Sequence, residues 1–419
     1  MALRNITIKM EDKYKMATAK KTSTTSKTTT TDKKEPEEKL PKVGATLTQE
    51  QKKQLESLVK AEKPVQFIET GDIGLDLALS DGKGLPIGSS TLLWAKPGSG
   101  KTTVVADACR RLIQKFKAKG EVFKVLYIGV EDSSGLISAL GLDQYRASGD
   151  FLYAAGQICW RQVEGLYTQV LNNDGVFAGV KLIVIDSVNN VLSDQNTKNS
   201  VADGDFGTRN RERSNFYSKF LPLCKERGIS SFFISQIRKK QAVMNPYEDP
   251  NRAAVSDVDL HNVDIIMKCT ASTNATDASK IVEKTVFGED KVASKCIFKM
   301  DSKAADCKNR YIRGNAVELL FEKGKKVHNY YTIGKLLEGN KFIKYSGGWW
   351  TINPELCEAF KIPADKLRRA ELNKIMEEHA GDFVGFLKKI GKYKVSIKET
   401  EVPVTEEEVQ AEASAEAEE

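Results

Sequence analysis

Residues 95–103 read AKPGSGKTT, and what flanks them decides the fold. Upstream stands STLLWA (90–95), a short apolar run suited to a buried strand. Downstream, from about Thr102, the residues Val105, Cys109, Leu112, Ile113 and Phe116 recur at helical spacing. A strand, a Gly-rich turn and a helix in that order are the context a phosphate-binding loop requires. Gly98 and Gly100 let backbone N–H groups turn inward, and the helix start adds partial positive charge. Lys101 is placed to reach the β- and γ-phosphates of a nucleoside triphosphate, and the Thr102 hydroxyl to bind Mg²⁺. The pattern usually opens on Gly; Ala95 stands there instead, ahead of the cradle, where a methyl is tolerated. The expected nucleotide contacts are Ala95, Lys96, Pro97, Gly98, Ser99, Gly100, Lys101, Thr102 and Thr103.

Outward from this loop, apolar runs alternate with helical periodicity. KVLYIGV (124–130), KLIVID (181–186) and SSFFIS (230–235) read as strands, and WRQVEGLYTQVL (160–171) as a helix. Apolar strands separated by helices predict an α/β fold, a mostly parallel twisted sheet with helices on both faces. Ligands in such sheets bind at the carboxyl ends of the strands. Three polar residues stand at such ends. Asp186 closes KLIVID, where a carboxylate has no structural reason to sit without a partner, so it is expected to join Thr102 at the metal. Glu131 follows KVLYIGV and is expected to orient the attacking water. Gln236 follows SSFFIS and is expected to sense the γ-phosphate.

Two long polar segments leave the same edge: SDQNTKNSVADGDFGTRNRERS (193–214) and IRKKQAVMNPYEDPNRAAVSDVD (237–259). Connections of that length point to function. Arg209, Arg211, Arg213, Arg238, Lys239 and Lys240 are candidates to neutralise a phosphate backbone, with Met244 or Tyr247 against bases.

Composition bounds the rest. The chain has 419 residues, 40% hydrophobic, with a net charge of +7. No apolar run is long enough to span a membrane, and the charged N-terminus does not read as a signal peptide, so a cytoplasmic protein is expected. Seven cysteines without a CxxC pair and three histidines without ligand spacing indicate neither a disulfide framework nor a zinc site. Residues 1–45, rich in Lys, Thr and Ser, read as a disordered basic arm, and 396–419 as an acidic disordered tail. Between them lie a helix at 47–60 and a strand around 65–67, within a 46–70 segment expected to dock on a neighbouring protomer. The core is expected over 71–335, and a small C-terminal domain over 336–395.

From about residue 61 to 390 the chain resembles the RecA recombinases, including the UvsX type of bacteriophages. The resemblance rests on VQFIETGDIGLDLALSDGKGLPIG (65–88), VIDSV (184–188), FISQIR (233–238) and SGGWW (346–350), in matching order. It implies a RecA-like P-loop ATPase core and an ATP- and Mg²⁺-dependent, DNA-stimulated ATPase. Such a protein forms helical filaments of its own copies on single-stranded DNA and exchanges strands with double-stranded DNA. Single-strand-binding and loader proteins are further partners it suggests. It also implies Glu131 as catalytic base, Gln236 as sensor, and DNA-binding loops at 195–213 and 238–258, with Met244 as an apolar wedge. In FKMDSKAAD, Lys299 matches the first of two lysines that reach a neighbour's γ-phosphate, and Lys303 the second after a one-residue insertion. A hexameric helicase motor and an ATP-binding filament scaffold stay open as alternatives.

Departures stand beside it. Ala253-Ala254 replace a Gly pair, Val258 and Asp259 stand at coupling positions, and His261 is expected as a core histidine. Residues 272–290 form a polar insertion expected as a loop.

Overall fold

The computed structural model describes residue 49 and residues 64–393, except 132, 195–205, 240–250, 273–281, 285–289, 293–294, 304–306, 313–315, 323–325, 348 and 363. The basic arm, the helix at 47–60 apart from residue 49, Lys240, Met244, Tyr247 and the acidic tail fall outside those residues. The chain divides into two units, Met1–Lys63 and Pro64–Glu419. Everything below concerns the second.

The order is β1 (Phe67–Ile68), α1 (Ile73–Ser80), β2 (Leu85–Pro86), β3 (Ser90–Ala95), α2 (Lys101–Ala118), β4 (Lys124–Gly129), α3 (Ser134–Ala139), α4 (Asp143–Ala147), β5 (Phe151–Ala155), α5 (Trp160–Asn172), β6 (Val180–Asp186), α6 (Phe206–Arg227), β7 (Ser230–Lys239), β8 (Asn251–Ala253), α7 (Asp257–Asn262) and β9 (Ile265–Ser272). There follow β10 (Val282–Lys284), β11 (Asp290–Val292), β12 (Lys295–Asp301), β13 (Lys308–Asn309), β14 (Ala316–Glu322), β15 (Val327–His328) and α8 (Asn329–Gly339). The chain then runs through β16 (Ile343–Ser346), β17 (Trp349–Ile352), α9 (Pro354–Phe360), β18 (Lys366–Arg368), α10 (Arg369–Glu378) and α11 (Ala380–Lys389).

The central sheet runs β15-β14-β12-β9-β3-β7-β6-β4-β5. From β9 to β5 all neighbours are parallel; β12, β14 and β15 continue it antiparallel. β3 is buried along its whole length, as a central parallel strand covered on both faces must be. Alternate residues feed opposite faces. Leu93, Tyr127, Val184 and Phe232 join one apolar cluster with Val104, Val105, Ala108 and Leu112 of α2. Leu92, Trp94, Ile128, Ile183 and Phe233 join the other, with Trp160 and Tyr167 of α5 and Phe216, Tyr217 and Phe220 of α6. Phe216 meets Tyr167 edge-on at 4.7 Å and stacks on Phe220, one helical turn on, at 5.2 Å. The fold is α/β, with a mostly parallel sheet between helices, as expected.

α1 enters this sheet through buried carboxylates. Asp72 caps the helix, accepting from Leu75 N–H at 3.1 Å, and Asp76 Oδ1 accepts from Thr70 N–H at 2.9 Å and Thr70 Oγ1 at 2.6 Å. Burial pushes Asp72 up to about 6 and Asp76 up to about 7, their hydrogen bonds notwithstanding. At its far end Asp81 takes φ +54° and donates its N–H to the carbonyls of Asp76 and Leu77, closing the helix.

Four expectations need correction. Residues 206–213 are the first turns of α6, not loop. Within 238–258, β7 runs on to Lys239 and pairs antiparallel with β8, and α7 opens at Asp257. The insertion at 272–290 carries a short hairpin, β10 paired with β11, instead of loop alone. Its 3-residue strands are too short to have stood out as alternation. The boundary expected at 336 falls inside α8, and one apolar cluster runs from α1 through Leu319 and Ile333 to Leu372, Met376, Phe383 and Leu387.

Candidate nucleotide site and the segments beside it

The loop between β3 and α2 opens at the carboxyl end of the sheet. Gly98 takes φ +70° and Gly100 φ +102°, conformations that side chains rarely adopt. A Cβ on Gly100 would lie 2.4 Å from Phe321 Cζ of β14. Glycine is therefore required there twice, for φ and for space. Lys101 is buried and folds over the loop, its Nζ donating to the carbonyls of Ala95 at 3.2 Å and Lys96 at 3.0 Å. Burial pulls its ammonium below the usual lysine range, and Asp186 and Glu131 pull it part of the way back. A cleft of about 180 Å³ is lined by Pro97 to Thr103 with Glu131, Asp186, Ser187, Ile234 and Gln236. Of the nine loop residues expected, Ala95 and Lys96 contribute their carbonyls to Lys101 and do not line the cleft.

Asp186 lies 1% exposed at the end of β6. Its Oδ2 accepts from Tyr127 Oη at 2.7 Å. Burial pushes its carboxyl above the usual range, and hydrogen bonds from Tyr127 and Thr102 offset part of this. A hydroxyl and a carboxylate are the hard oxygen donors Mg²⁺ takes, and a buried cation beside a glycine cradle suits a triphosphate. The residues present therefore fit both groups.

Glu131 is held from three directions. Ser187 Oγ, Asn190 Nδ2 and Gln236 Nε2 each donate to its Oε1 at 2.8 Å. Gln236 in turn is fixed through its backbone, its N–H donating to Asn189 Oδ1 at 2.8 Å. The structure thus brings Lys101, Thr102, Glu131, Asp186 and Gln236 together in one cleft. Tyr127, Ser187, Asn189 and Asn190 are the site residues that sequence reasoning missed. Tyr127 had a signal, a phenol in the strand KVLYIGV whose hydroxyl needs a buried acceptor.

The expected cationic residues separate. Arg213 is a correction: only 2% of its side chain is exposed, and its Nε and Nη2 reach Asp259 Oδ2 at 2.8 and 2.7 Å. Ser214 Oγ also donates to Asp259 at 2.8 Å. Arg213 ties α6 to α7 and offers no charge to a ligand. Arg209 is half-buried, its Nη1 3.5 Å from the Asn189 carbonyl. Arg211 is exposed on α6. Arg238 is exposed on β7, donates to the Val255 carbonyl at 3.2 Å and stands opposite Arg252 in the pair with β8. Lys239 ends β7. Ala253 is buried in β8. His261 is exposed near the end of α7 rather than in the core, because the face of α7 turned inward belongs to Asp259.

Lys299 on β12 and Lys303 beyond it lie off the cleft. Lys299 Nζ sits 3.8 Å from Asp301 and lines a separate groove with Leu77, Glu318 and Leu336. The backbone N–H of Lys303 donates to Asp301 Oδ1 at 2.8 Å.

Comparison with known proteins agrees with this geometry. The RecA N-terminal domain family matches residues 48–286. Protein RecA of Mycoplasma pneumoniae is 30% identical over 190 residues, 44% of this chain and 51% of that one. DNA repair protein RadA of Campylobacter jejuni is 27% identical over 280 residues, 65% of this chain and 52% of that one. A mitochondrial DNA repair protein recA homolog of Dictyostelium discoideum is 26% identical over 289 residues, 67% and 60% of the two chains. The chain spans about half the length of the first curated relatives it matches. A match over more than half of the residues, on parallel strands that end at a glycine-loop cleft, makes this chain a member of the RecA family.

Proposed function

We propose that the protein is an ATP-driven DNA recombinase, a DNA-stimulated ATPase that assembles as a helical filament on single-stranded DNA and pairs it with a homologous duplex. The observation that carries this is the contact of Glu131 with Gln236 inside the cleft, since Gln236 lies on the strand that pairs with β8. A hydrolytic base joined to a strand that leaves the site suits an enzyme whose nucleotide state is read elsewhere. A scaffold needs neither residue.

Lys101 and the loop N–H groups hold the phosphates, and Thr102 and Asp186 hold Mg²⁺. The metal, when bound, draws charge from the phosphate oxygens. Glu131, clamped on Oε1, keeps Oε2 for the attacking water. Gln236 exchanges its bond to Glu131 for one to the γ-phosphate. Arg211, Arg238, Lys239 and Lys240 contact the DNA backbone, Met244 contacts bases, and Arg209 supports them. Lys299 and Lys303, which do not line their own protomer's cleft, act on the neighbour's, so turnover depends on assembly. Single-strand-binding and loader proteins are the expected partners. The place of action is DNA in the cytoplasm; among the described residues no helix is long and apolar enough to cross a membrane.

The test is ATP turnover with and without single-stranded DNA for wild type and Glu131→Gln, with electron microscopy of the mixtures. DNA-stimulated turnover, abolished in the variant with DNA binding intact, and open helical filaments are expected. Closed rings would return the helicase reading; turnover indifferent to DNA would overturn the proposal.

A further inference from the structure

Beyond Asp186 the chain continues through Ser187, Val188, Asn189 and Asn190, and the Asn189 amide has partners on two other elements. Its Oδ1 accepts from Gln236 N–H at 2.8 Å and from Ser235 Oγ at 2.9 Å. Its Nδ2 donates to the Ala254 carbonyl. A backbone donor on one side and a backbone acceptor on the other leave only one orientation for the amide. Ala254 N–H donates back to the Gln236 carbonyl at 3.0 Å. The side chain therefore fills the place of a peptide unit between Gln236 of β7 and the residue after β8. The Asn189 carbonyl, meanwhile, faces Arg209 Nη1 in the first turn of α6.

We infer that Asn189 is a positioning residue that transmits the state of the phosphate cleft to the β8–α7 corner and the start of α6; the inference rests on the recombinase reading of the site. Gln236 has its side chain in the cleft and its backbone on Asn189. When its side chain leaves Glu131, the strain falls on the N–H to Oδ1 bond. The same amide holds Ala254, and the same residue holds Arg209, so both follow. Further out, Asp259 collects Arg213, Ser214 Oγ and the N–H of Ser256 at 2.8 Å, joining α6 to α7. The two outputs are thereby one body. Without the amide, Gln236 N–H and the Ala254 carbonyl lose their common partner, and the cleft and the corner relax separately.

Hydrogen exchange of the full chain tests this, with a non-hydrolysable ATP analogue and Mg²⁺ as probe. In wild type the probe should slow exchange at 95–103 and also change it at 206–214 and 251–262. Asn189→Ala should keep the first response and lose the others by roughly five-fold or more in rate ratio. Asn189→Asp keeps an acceptor for Gln236 N–H but sets a carboxylate oxygen against the Ala254 carbonyl. It should lose the response at 251–262 as well, and it decides the matter if Asn189→Ala melts early. An undiminished distal response in both variants overturns the inference, as does a wild type protected at 95–103 with no change at 251–262. Turnover is read alongside. A wild type that shows the distal response but no stimulation by single-stranded DNA sinks the recombinase reading and leaves the role of Asn189 standing.

Discussion

At the scale of single residues, Lys101 and Glu131 should fail differently. Lys101→Ala removes a buried cation from the candidate phosphate loop, and nucleotide affinity measured by a fluorescent ATP analogue should fall on the order of 100-fold. Glu131→Gln keeps the shape and loses the base, so turnover should drop about 10²- to 10³-fold with that affinity retained. Asp76 makes a second prediction. Asp72 and Asp76 titrate near 3.8 when unfolded, and the fold holds their protons up to about 6 and about 7. In that interval the native chain binds more protons than the unfolded one, so stability falls as pH rises. Carboxylates held low, such as Asp107 beside its arginines, act in the opposite sense but only below their ordinary range. Melting temperatures stepped from about pH 5 to about pH 7 should therefore decline, and Asp76→Asn should flatten the slope. A rising wild-type curve would refute this. Lys101 was legible from the Gly-rich turn before a helix, and Asp186, Glu131 and Gln236 because each is a polar residue at the end of an apolar run, both local patterns. Ser187 and Asn189 were not, since what they bind comes from other strands.

Among elements, α6 tests the sorting of the arginines. Arg213→Ala strands Asp259 without its cation in a dry contact, and urea unfolding should show a loss of about 3–5 kcal/mol. Arg211→Ala should leave stability unchanged and weaken single-stranded DNA binding, with the slope of log affinity against log salt shallower by about 0.7. If the two variants exchanged these phenotypes, the placement of α6 would be wrong. The parallel strands were readable from their apolar continuity. The start of α6 was not, because FGTRNRERS has no apolar stripe, and the helix earns its packing only from Phe216 onward. The reach of β7 to Lys239 was hidden for a related reason: its partner β8 lies across a long intervening segment, and strand pairing at that distance leaves no local mark.

For the whole molecule, the position of Lys299 separates binding from turnover. Lys299→Ala should leave the analogue affinity of dilute protein untouched and reduce turnover in the assembled state on the order of 10³-fold, as loss of an arginine finger does. Equal turnover in assembled wild type and variant would mean that each protomer hydrolyses alone. The α/β core was legible throughout, while the antiparallel continuation through β12 and β14 was not, its strands being mixed in polarity. That continuation reaches the phosphate loop itself, for Phe321 of β14 fills the place where a side chain on Gly100 would stand. The aperture proposed to grip the triphosphate is consequently gauged by a benzene ring delivered from the opposite wing of the sheet. Shaving that ring to leucine would slacken the grip without altering a single polar group.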